Sequence, residues 1–266
     1  MKITIVTPSY NQGKWINQTI ESIWSQAGVF FIEHLIMDGG STDETVEIIK
    51  KYEAALAVWP VRCKGLTFKW VSEKDKGQSD AINKGFKQAT GEYIAWLNSD
   101  DIYWPGAIQK ALDYLEANPD KIMVYGEGYY LYEPSENKKR YPVEGPFDHK
   151  RLAEACYITQ PSVFLRREVL TKVGYVDESL HFCMDYDWWI RIGKICDVGY
   201  LPEYLACTRV YPETKTESGR GKAIAEAVKT LQQHYGYVSD SWKLAQISAK
   251  LEKHIPIWHP SPYLNC

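Results

Sequence analysis

Apolar positions along this chain alternate between two periods. Lys2–Thr7, Ile32–Met37, Thr67–Val71 and Tyr93–Leu97 are short β-prone runs with the length of a buried strand. Between them apolar residues recur at helical spacing: Ile16, Ile20, Ile23 and Trp24, then Val46, Ile48 and Ile49, then Ala81, Ile82, Phe86 and Ala89. Trp104-Pro105-Gly106 follows the fourth run and leads into Ala107, Ile108, Ala111, Leu112 and Leu115. Ser41 and Glu44 have the spacing of a capping box before the second helix. A βαβαβαβ order of this kind predicts an α/β fold with a mainly parallel, doubly wound sheet and right-handed crossovers.

Polar residues gather where these strands stop. Ser9-Tyr10-Asn11, Asp38, Asp75 and the run from Asn98 to Asp101 all fall at the same predicted edge. In open α/β sheets that carboxyl edge is where ligands bind. The abrupt change from Tyr93-Ile94-Ala95-Trp96-Leu97 to Asn98-Ser99-Asp100-Asp101 sets two adjacent carboxylates between a strand and a helix. Such hard oxygen donors suit Mg²⁺ or Mn²⁺ held against a diphosphate. The alternative is a turn whose acids cap the next helix.

The second half is less regular. Ile122–Tyr132 predicts one or two strands, Glu133–Pro146 a polar loop, Ser162–Leu165 a strand and Glu168–Val173 a short helix. Another helix begins near Met184, a strand covers Leu205–Val210, and two helical segments between Thr216 and Lys253 divide near Gly236-Tyr237.

A net charge of −3 over 266 residues argues against a nucleic-acid partner held by phosphate neutralisation. The basic cluster Lys138-Lys139-Arg140 predicts a solvated loop. The six cysteines form no C-x-x-C pair. Cys156, Cys183, Cys196 and Cys207 sit in apolar stretches as small hydrophobes, which fits a reducing compartment. No apolar run approaches membrane-spanning length, and the first residues lack a signal-peptide core, so a cytoplasmic location is expected.

Several motifs then fall in one order: Thr7-Pro8-Ser9-Tyr10-Asn11, Asp38-Gly39-Gly40-Ser41-Thr42-Asp43, Asp75-Lys76-Gly77 with Asn83-Lys84-Gly85, and Asn98-Ser99-Asp100-Asp101. Gln160-Pro161-Ser162, Met184-Asp185-Tyr186-Asp187-Trp188 and Arg209 continue the series. In order and spacing the chain resembles inverting family 2 glycosyltransferases of the GT-A fold, over roughly its first 215 residues. It looks closest to bacterial enzymes that build O-antigen and other surface polysaccharides. The resemblance implies a nucleotide-diphosphate sugar as donor, UDP-linked first among them, a glycan or lipid-linked acceptor, and a divalent cation.

It also implies roles for single residues. Asp100 resembles the metal-binding last aspartate of the D-x-D motif. Asn98 stands at the motif's first position, able to bond a ribose hydroxyl without bringing charge, with Ser99 between them. Asp101 would assist the metal or cap the next helix. Asp38 resembles the acid that accepts the imide N–H of the base, although Gly39 stands where a second acid is frequent; the alternative is a plain turn. Pro8, Ser9 and Tyr10 would line the same pocket, with Tyr10 stacked on the base or else packed in the core. Lys76 would approach the diphosphate, or lie in an exposed charged turn, and Asn83 would bridge loops near the sugar. Asp185 resembles the catalytic base; the alternative is that Asp185 or Asp187 caps its helix. Arg209 and Lys215 fall where a basic segment closes over the diphosphate, with Tyr211 in place of a frequent histidine. Glu213–Gly221 would be a lid or a linker.

On this basis residues 1–104 form the donor-binding half, 105–216 the acceptor-binding half of the same domain, and 217–266 a helical extension and tail. A sugar nucleotidyltransferase would need a Gly-rich, Arg/Lys-bearing loop where Pro8-Ser9-Tyr10-Asn11-Gln12-Gly13 stands. A non-catalytic nucleotide- or glycan-binding protein on the same scaffold is the other alternative. The tail sets Trp242, Leu244, Ile247, Leu251, Ile255, Ile257, Trp258 and Tyr263 beside Lys243, Lys250 and Lys253. That composition predicts packing on the catalytic domain, a homodimer contact, or peripheral attachment at the inner membrane face.

Overall fold

A computed structural model of the chain describes residues 1–143 and 145–252. Strand β1 (Lys2–Ser9) pairs in parallel with β2 (Phe31–Asp38) on one side and β4 (Tyr93–Trp96) on the other, and β3 (Gly65–Ser72) is parallel to β2. Helices α1 (Ile16–Trp24), α2 (Thr45–Ala55) and α3 (Gln78–Gln88) make the crossovers. The expected parallel layout is present. Register aligns Ser9 with Asp38 and Asp38 with Ser72, so three strands finish level and discharge their polar residues together.

The second half extends the sheet with mixed pairing. After β5 (Ile102–Tyr103) and α4 (Ala107–Ala117) comes β6 (Lys121–Tyr132), one twelve-residue strand rather than two. The polar loop after it contains β7 (Asn137–Arg140), a fully exposed strand paired antiparallel to β6. Beyond α5 (His149–Leu152), β8 (Val163–Arg166) runs antiparallel to both β4 and β6. α6 (Val169–Lys172) and α7 (Met184–Ile195) precede β9 (Asp197–Val210), which is parallel to β6 and begins eight residues before the predicted Leu205. Its early residues are partly exposed, so backbone pairing and not an apolar pattern makes them strand. The sheet order is β3-β2-β1-β4-β8-β6-β9-β5, with β7 beside β6. The capping box does not form. α2 has no side-chain cap, and Ser41 instead turns back to bond Asp38.

Core lies on both faces of the sheet. Ile3, Ile5 and Ile36 pack with Ile16, Trp24, Ile108 and Leu112 on one side. On the other, Val6 and Ile94 meet Ile82 and Phe86, and Trp96 stacks 5.9 Å from both Trp188 and Trp189. A Cβ at Gly85 would stand 2.4 Å from Val6 Cγ1, so the missing side chain is what lets α3 close onto β1. All five cysteines among the described residues are free, with Cys156, Cys183 and Cys207 buried and Cys63 and Cys196 half-buried.

Helices α8 (Lys215–Ser218), α9 (Arg220–Tyr235) and α10 (Asp240–Glu252) complete the described chain. α9 and α10 join the core around α7: Ile224, Ala227 and Leu231 are buried there, and Trp242 stacks 5.9 Å from Tyr186. Leu244, Ile247 and Leu251 are exposed, while Lys253, Ile255, Ile257, Trp258 and Tyr263 lie outside the described residues. No helix among the described residues is long and apolar enough to cross a membrane. Trp242 is 3 % exposed, so Trp242→Ala is expected to cost about 3–5 kcal/mol. Thermal denaturation should then show a melting temperature lower by on the order of 10 °C. An unshifted curve would mean that α10 adds nothing to the fold.

Candidate active site

The carboxyl ends of the parallel strands open on a cleft of about 790 Å³. One side carries Pro8, Ser9, Gly39, Asp75 and the turn from Asn98 to Asp101. The cleft lining also includes Gln160, Met184, Asp185 and residues between Thr208 and Glu217.

The acidic turn is fixed from behind. Asp101 accepts the Arg209 backbone N–H at Oδ1 (2.9 Å) and the Asn98 amide at Oδ2 (3.2 Å), while its carbonyl accepts the Thr19 hydroxyl. The N-cap of α4 is Gly106, so Asp101 is not the cap of the next helix. Asp100 Oδ2 accepts the Tyr211 hydroxyl at 2.9 Å, its only side-chain hydrogen bond among the described residues. Burial raises the pKa of Asp100. It raises that of Asp101 further, with the charge of Asp100 adding to the effect. Arg209 is the positive group that acts on both acids, and its own charge is also paired with Glu133, so a divalent cation of the hard, oxygen-seeking kind fits that donor set. Among the described residues no three His, Cys, Asp or Glu side chains form a cage of their own. Such a cation would therefore complete its shell from water and ligand oxygens.

Arg209, expected near the diphosphate, lines the cleft with its guanidinium engaged by its neighbours. Its Nε donates to the Asp100 carbonyl (2.9 Å), one terminal nitrogen donates to Gln18 (2.6 Å), and the other pairs with Glu133. The guanidinium lies 4.2 Å over the Trp15 ring, and the side chain is 2 % exposed. Its charge is compensated and its planar fork ties the acidic turn to β9.

Asn98 is the centre of a polar chain across the cleft. Its carbonyl oxygen accepts from Gln78 (2.8 Å), and its amide donates to Gln160 (3.2 Å) as well as to Asp101. Lys215 Nζ in turn donates to Gln78 at 2.8 Å, so the Glu213–Gly221 stretch meets α3. Ser99 is buried and lines the cleft.

At the other end Asp38 is not a cleft-lining residue. Its carboxylate accepts Gly40 N–H (3.1 Å), Ser41 N–H (2.9 Å), Ser41 Oγ (2.5 Å) and Ser72 Oγ (2.6 Å), which leaves it the hub of its own turn. The neighbouring acid that does line the cleft is Asp75, whose pKa is raised by burial. Asp75 Oδ1 accepts Gly77 N–H, and Oδ2 stands 2.8 Å from where a Cβ on Gly39 would be. The bare Gly39 makes that room. Pro8 lines the same region. Ser9 Oγ is buried there with no hydrogen-bond partner among the described residues, and Tyr10 is 60 % exposed at the rim rather than packed in the core. Lys76 is exposed and off the cleft, in a charged turn whose Lys74, also exposed, lines the cleft instead. Asn83 is buried behind the cleft and joins α3 to the Val176 carbonyl and to Glu178, both at 3.0 Å.

Asp185 is the second residue of α7 and 5 % exposed. Oδ1 accepts Tyr186 N–H at 2.7 Å, and burial pushes its pKa up to about 6. Neither acid of this motif is the N-cap. That position is Cys183, without a side-chain cap, and Asp187 faces away to Arg191 (2.8 Å) and His234 (2.7 Å). Lys215 shares the cleft; burial lowers its pKa against the opposing pull of Glu226 and Asp185.

Residues 4–174 match the family described as glycosyl transferase family 2. The chain belongs to that family. An uncharacterized glycosyltransferase of Rickettsia typhi is 27 % identical over 229 residues, covering 81 % of this chain and 66 % of its own length. This chain thus spans just under two thirds of that relative. One from Methanocaldococcus jannaschii is 29 % identical over 239 residues, 88 % of this chain and 79 % of that protein. Among solved structures, TarS of S. aureus in complex with UDP superposes with a TM-score of 0.61 at 17 % identity, covering 97 % of this chain and 72 % of that one. A Pyrobaculum calidifontis mannosyltransferase in complex with GDP-Man and Mn²⁺ gives 0.63 at 16 % identity, over 95 % and 70 %. The fold of this family 2 chain is therefore GT-A.

Two residues of this family 2 site escape sequence reading. Gln78 opens α3 as an ordinary polar helix residue, and Glu226 sits on a helix outside the matched region. Both act on partners distant in the chain, so no local pattern marks them.

Proposed function

We propose that the chain transfers a sugar from a nucleoside-diphosphate donor to an acceptor hydroxyl, with inversion and with the help of a divalent cation. The observation that carries this is that Asp100 and Asp185 line one cleft, one suited to a cation and the other to a proton. A cation at Asp100 would neutralise charge developing on the departing diphosphate. Tyr211 orients the Asp100 carboxylate, and Arg209 holds the turn that presents it. Asp185 takes the proton of the acceptor hydroxyl as that oxygen attacks the anomeric carbon from the face opposite the diphosphate. The bond from the anomeric carbon to the phosphate oxygen breaks as the new one forms. No second carboxylate nucleophile is required, unlike in retaining hydrolysis.

Tyr10 offers an open ring to the nucleobase, and Asp75 offers a carboxylate on the cleft that Ser9 also lines. Asp75 thus takes the imide-accepting role expected of Asp38, and a uracil base comes first. Wild-type protein is expected to bind UDP about 10- to 100-fold more tightly than N3-methyl-UDP, the range of one charge-assisted hydrogen bond. Asp75→Ala should bind the two alike by calorimetry. Discrimination kept in Asp75→Ala but lost in Asp38→Ala would return the role to Asp38.

The acceptor is a glycan or lipid-linked glycan of surface-polysaccharide assembly, met at the cytoplasmic face of the membrane. Similar folds obtained with UDP, UDP-GlcNAc, and GDP-Man with Mn²⁺ support the donor class. Thermal shift across UDP-, GDP- and dTDP-sugars with Mn²⁺ should single out one donor, which raises the melting point by mass action. That donor should turn over only when Mn²⁺ or Mg²⁺ is present. Binding without turnover under both conditions would make the chain a binding protein.

A further inference from the structure

We infer that Glu226, on α9, is a positioning residue for the catalytic carboxylate, which makes the helical extension part of the reaction machinery; this rests on the base role given to Asp185. Glu226 Oε1 accepts the backbone N–H of His181 (2.9 Å), and Oε2 accepts those of Phe182 (2.5 Å) and Cys183 (2.8 Å). One side chain thus gathers three successive amides immediately before Met184 and Asp185. α7 needs such help, since its N-cap Cys183 makes no side-chain cap of its own. The Cys183 thiol adds a contact to the Ala223 carbonyl, one helical turn earlier on α9 (3.4 Å).

The same turn touches the basic segment. Lys215 Nζ lies 5.5 Å from the centre of the Phe182 ring, and that ring fills the space where a side chain on Gly219 would stand, 2.4 Å from its Cβ. Glu226 and Lys215 are the charged groups that α9 and α8 bring to bear on Asp185, with opposite effects on its proton affinity. On α7 itself Asp187 is engaged by Arg191 and by His234 of α9, and His234 also meets Lys194. Glu226 therefore acts twice. Its hydrogen bonds set where the Asp185 carboxylate stands, and its charge makes Asp185 a stronger base.

The two effects separate in variants of the full chain. Hydrolysis of UDP-GlcNAc and GDP-Man with Mn²⁺, water standing in for the acceptor, gives kcat and donor KM. The Asp185 carboxyl titration is followed by ¹³C NMR and assigned by its loss in Asp185→Asn. Glu226→Ala should lower kcat on the order of 10- to 100-fold, with donor KM within about twofold of wild type. Glu226→Gln keeps the volume and one accepting oxygen, enough for the Phe182 and Cys183 N–H groups but not for that of His181, so it should recover part of kcat. Its Asp185 should titrate at lower pH than in wild type, because a repelling charge has gone. An Asp185 titration unmoved in Glu226→Gln overturns the inference. So does a kcat in Glu226→Ala within about twofold of wild type, or a donor KM that rises in step with the loss. Should Glu226→Ala fail to fold, the titration in Glu226→Gln decides alone. Full activity in Asp185→Asn would instead sink the base assignment, and that outcome is read from a different variant.

Discussion

Asp100→Ala is expected to abolish transfer while leaving the fold intact. The carboxylate is the acid of its turn whose side chain, among the described residues, bonds Tyr211 and not the backbone of β9. On the proposed mechanism, removing it would take away the anchor of a cation that offsets charge on the leaving diphosphate, an effect worth several kcal/mol. At 1.36 kcal/mol per decade, turnover should fall about 10³-fold or more. The melting temperature should not fall, since the removed group is itself held above the ordinary carboxylate range by burial. EDTA should silence wild type and Mn²⁺ should restore it. Asp101→Ala makes the informative contrast. It strands the Arg209 N–H and the Asn98 amide, so it should lower the melting temperature as well as activity. Full turnover of Asp100→Ala, or of wild type in EDTA, would remove the cation from the mechanism.

Asp185→Asn should cost on the order of 10²–10⁴ in kcat with donor affinity nearly unchanged. Asn keeps the size and can still accept the Tyr186 N–H, but it takes no proton. Wild-type kcat/KM should fall tenfold per unit as pH drops below about 6, where Asp185 of the free protein becomes protonated. That limb should vanish in the variant. The stability effect has the opposite sign. A carboxyl whose folded pKa is raised binds more protons folded than unfolded, so its stabilising contribution is full at low pH and is lost as pH rises through about 6. Asp185→Asn should therefore melt above wild type at neutral pH, with the difference shrinking toward pH 4. A collapse of donor affinity in Asp185→Asn would make it a donor-site residue.

Strand ends carried most of what could be read in advance. The β1 to β4 strands and α1 to α3 follow from apolar period alone, because both faces of a covered parallel sheet must be apolar while its carboxyl edge need not be. That logic located Ser9, Asp75 and the Asn98–Asp101 turn at one edge, and adding Asp185 required the family pattern. It failed where backbone pairing outweighs side-chain pattern, as in β7 and the first half of β9. It also failed wherever a charge was free to choose its partner.

Asp38, Arg209 and Asp101 are the residue types a donor site wants, yet all three are held by neighbours: Ser41 and Ser72, Glu133 and Gln18, Asn98 and the backbone of Arg209 itself. Their motif positions give the chemistry a side chain is capable of, and not the hydrogen bonds that absorb it. Which acids remain open to a ligand was decided by loop packing, down to the absent side chain of Gly39 that admits Asp75. The amino-acid sequence by itself determined the alternation of strands and helices in the first half, the edge at which chemistry gathers and the kind of groups found there. Only the tertiary structure decided which of those groups face the cleft. Local propensity and period act over a few residues, whereas pairs such as Glu226 with Cys183 and Arg209 with Glu133 are made by chain segments that meet only when folded.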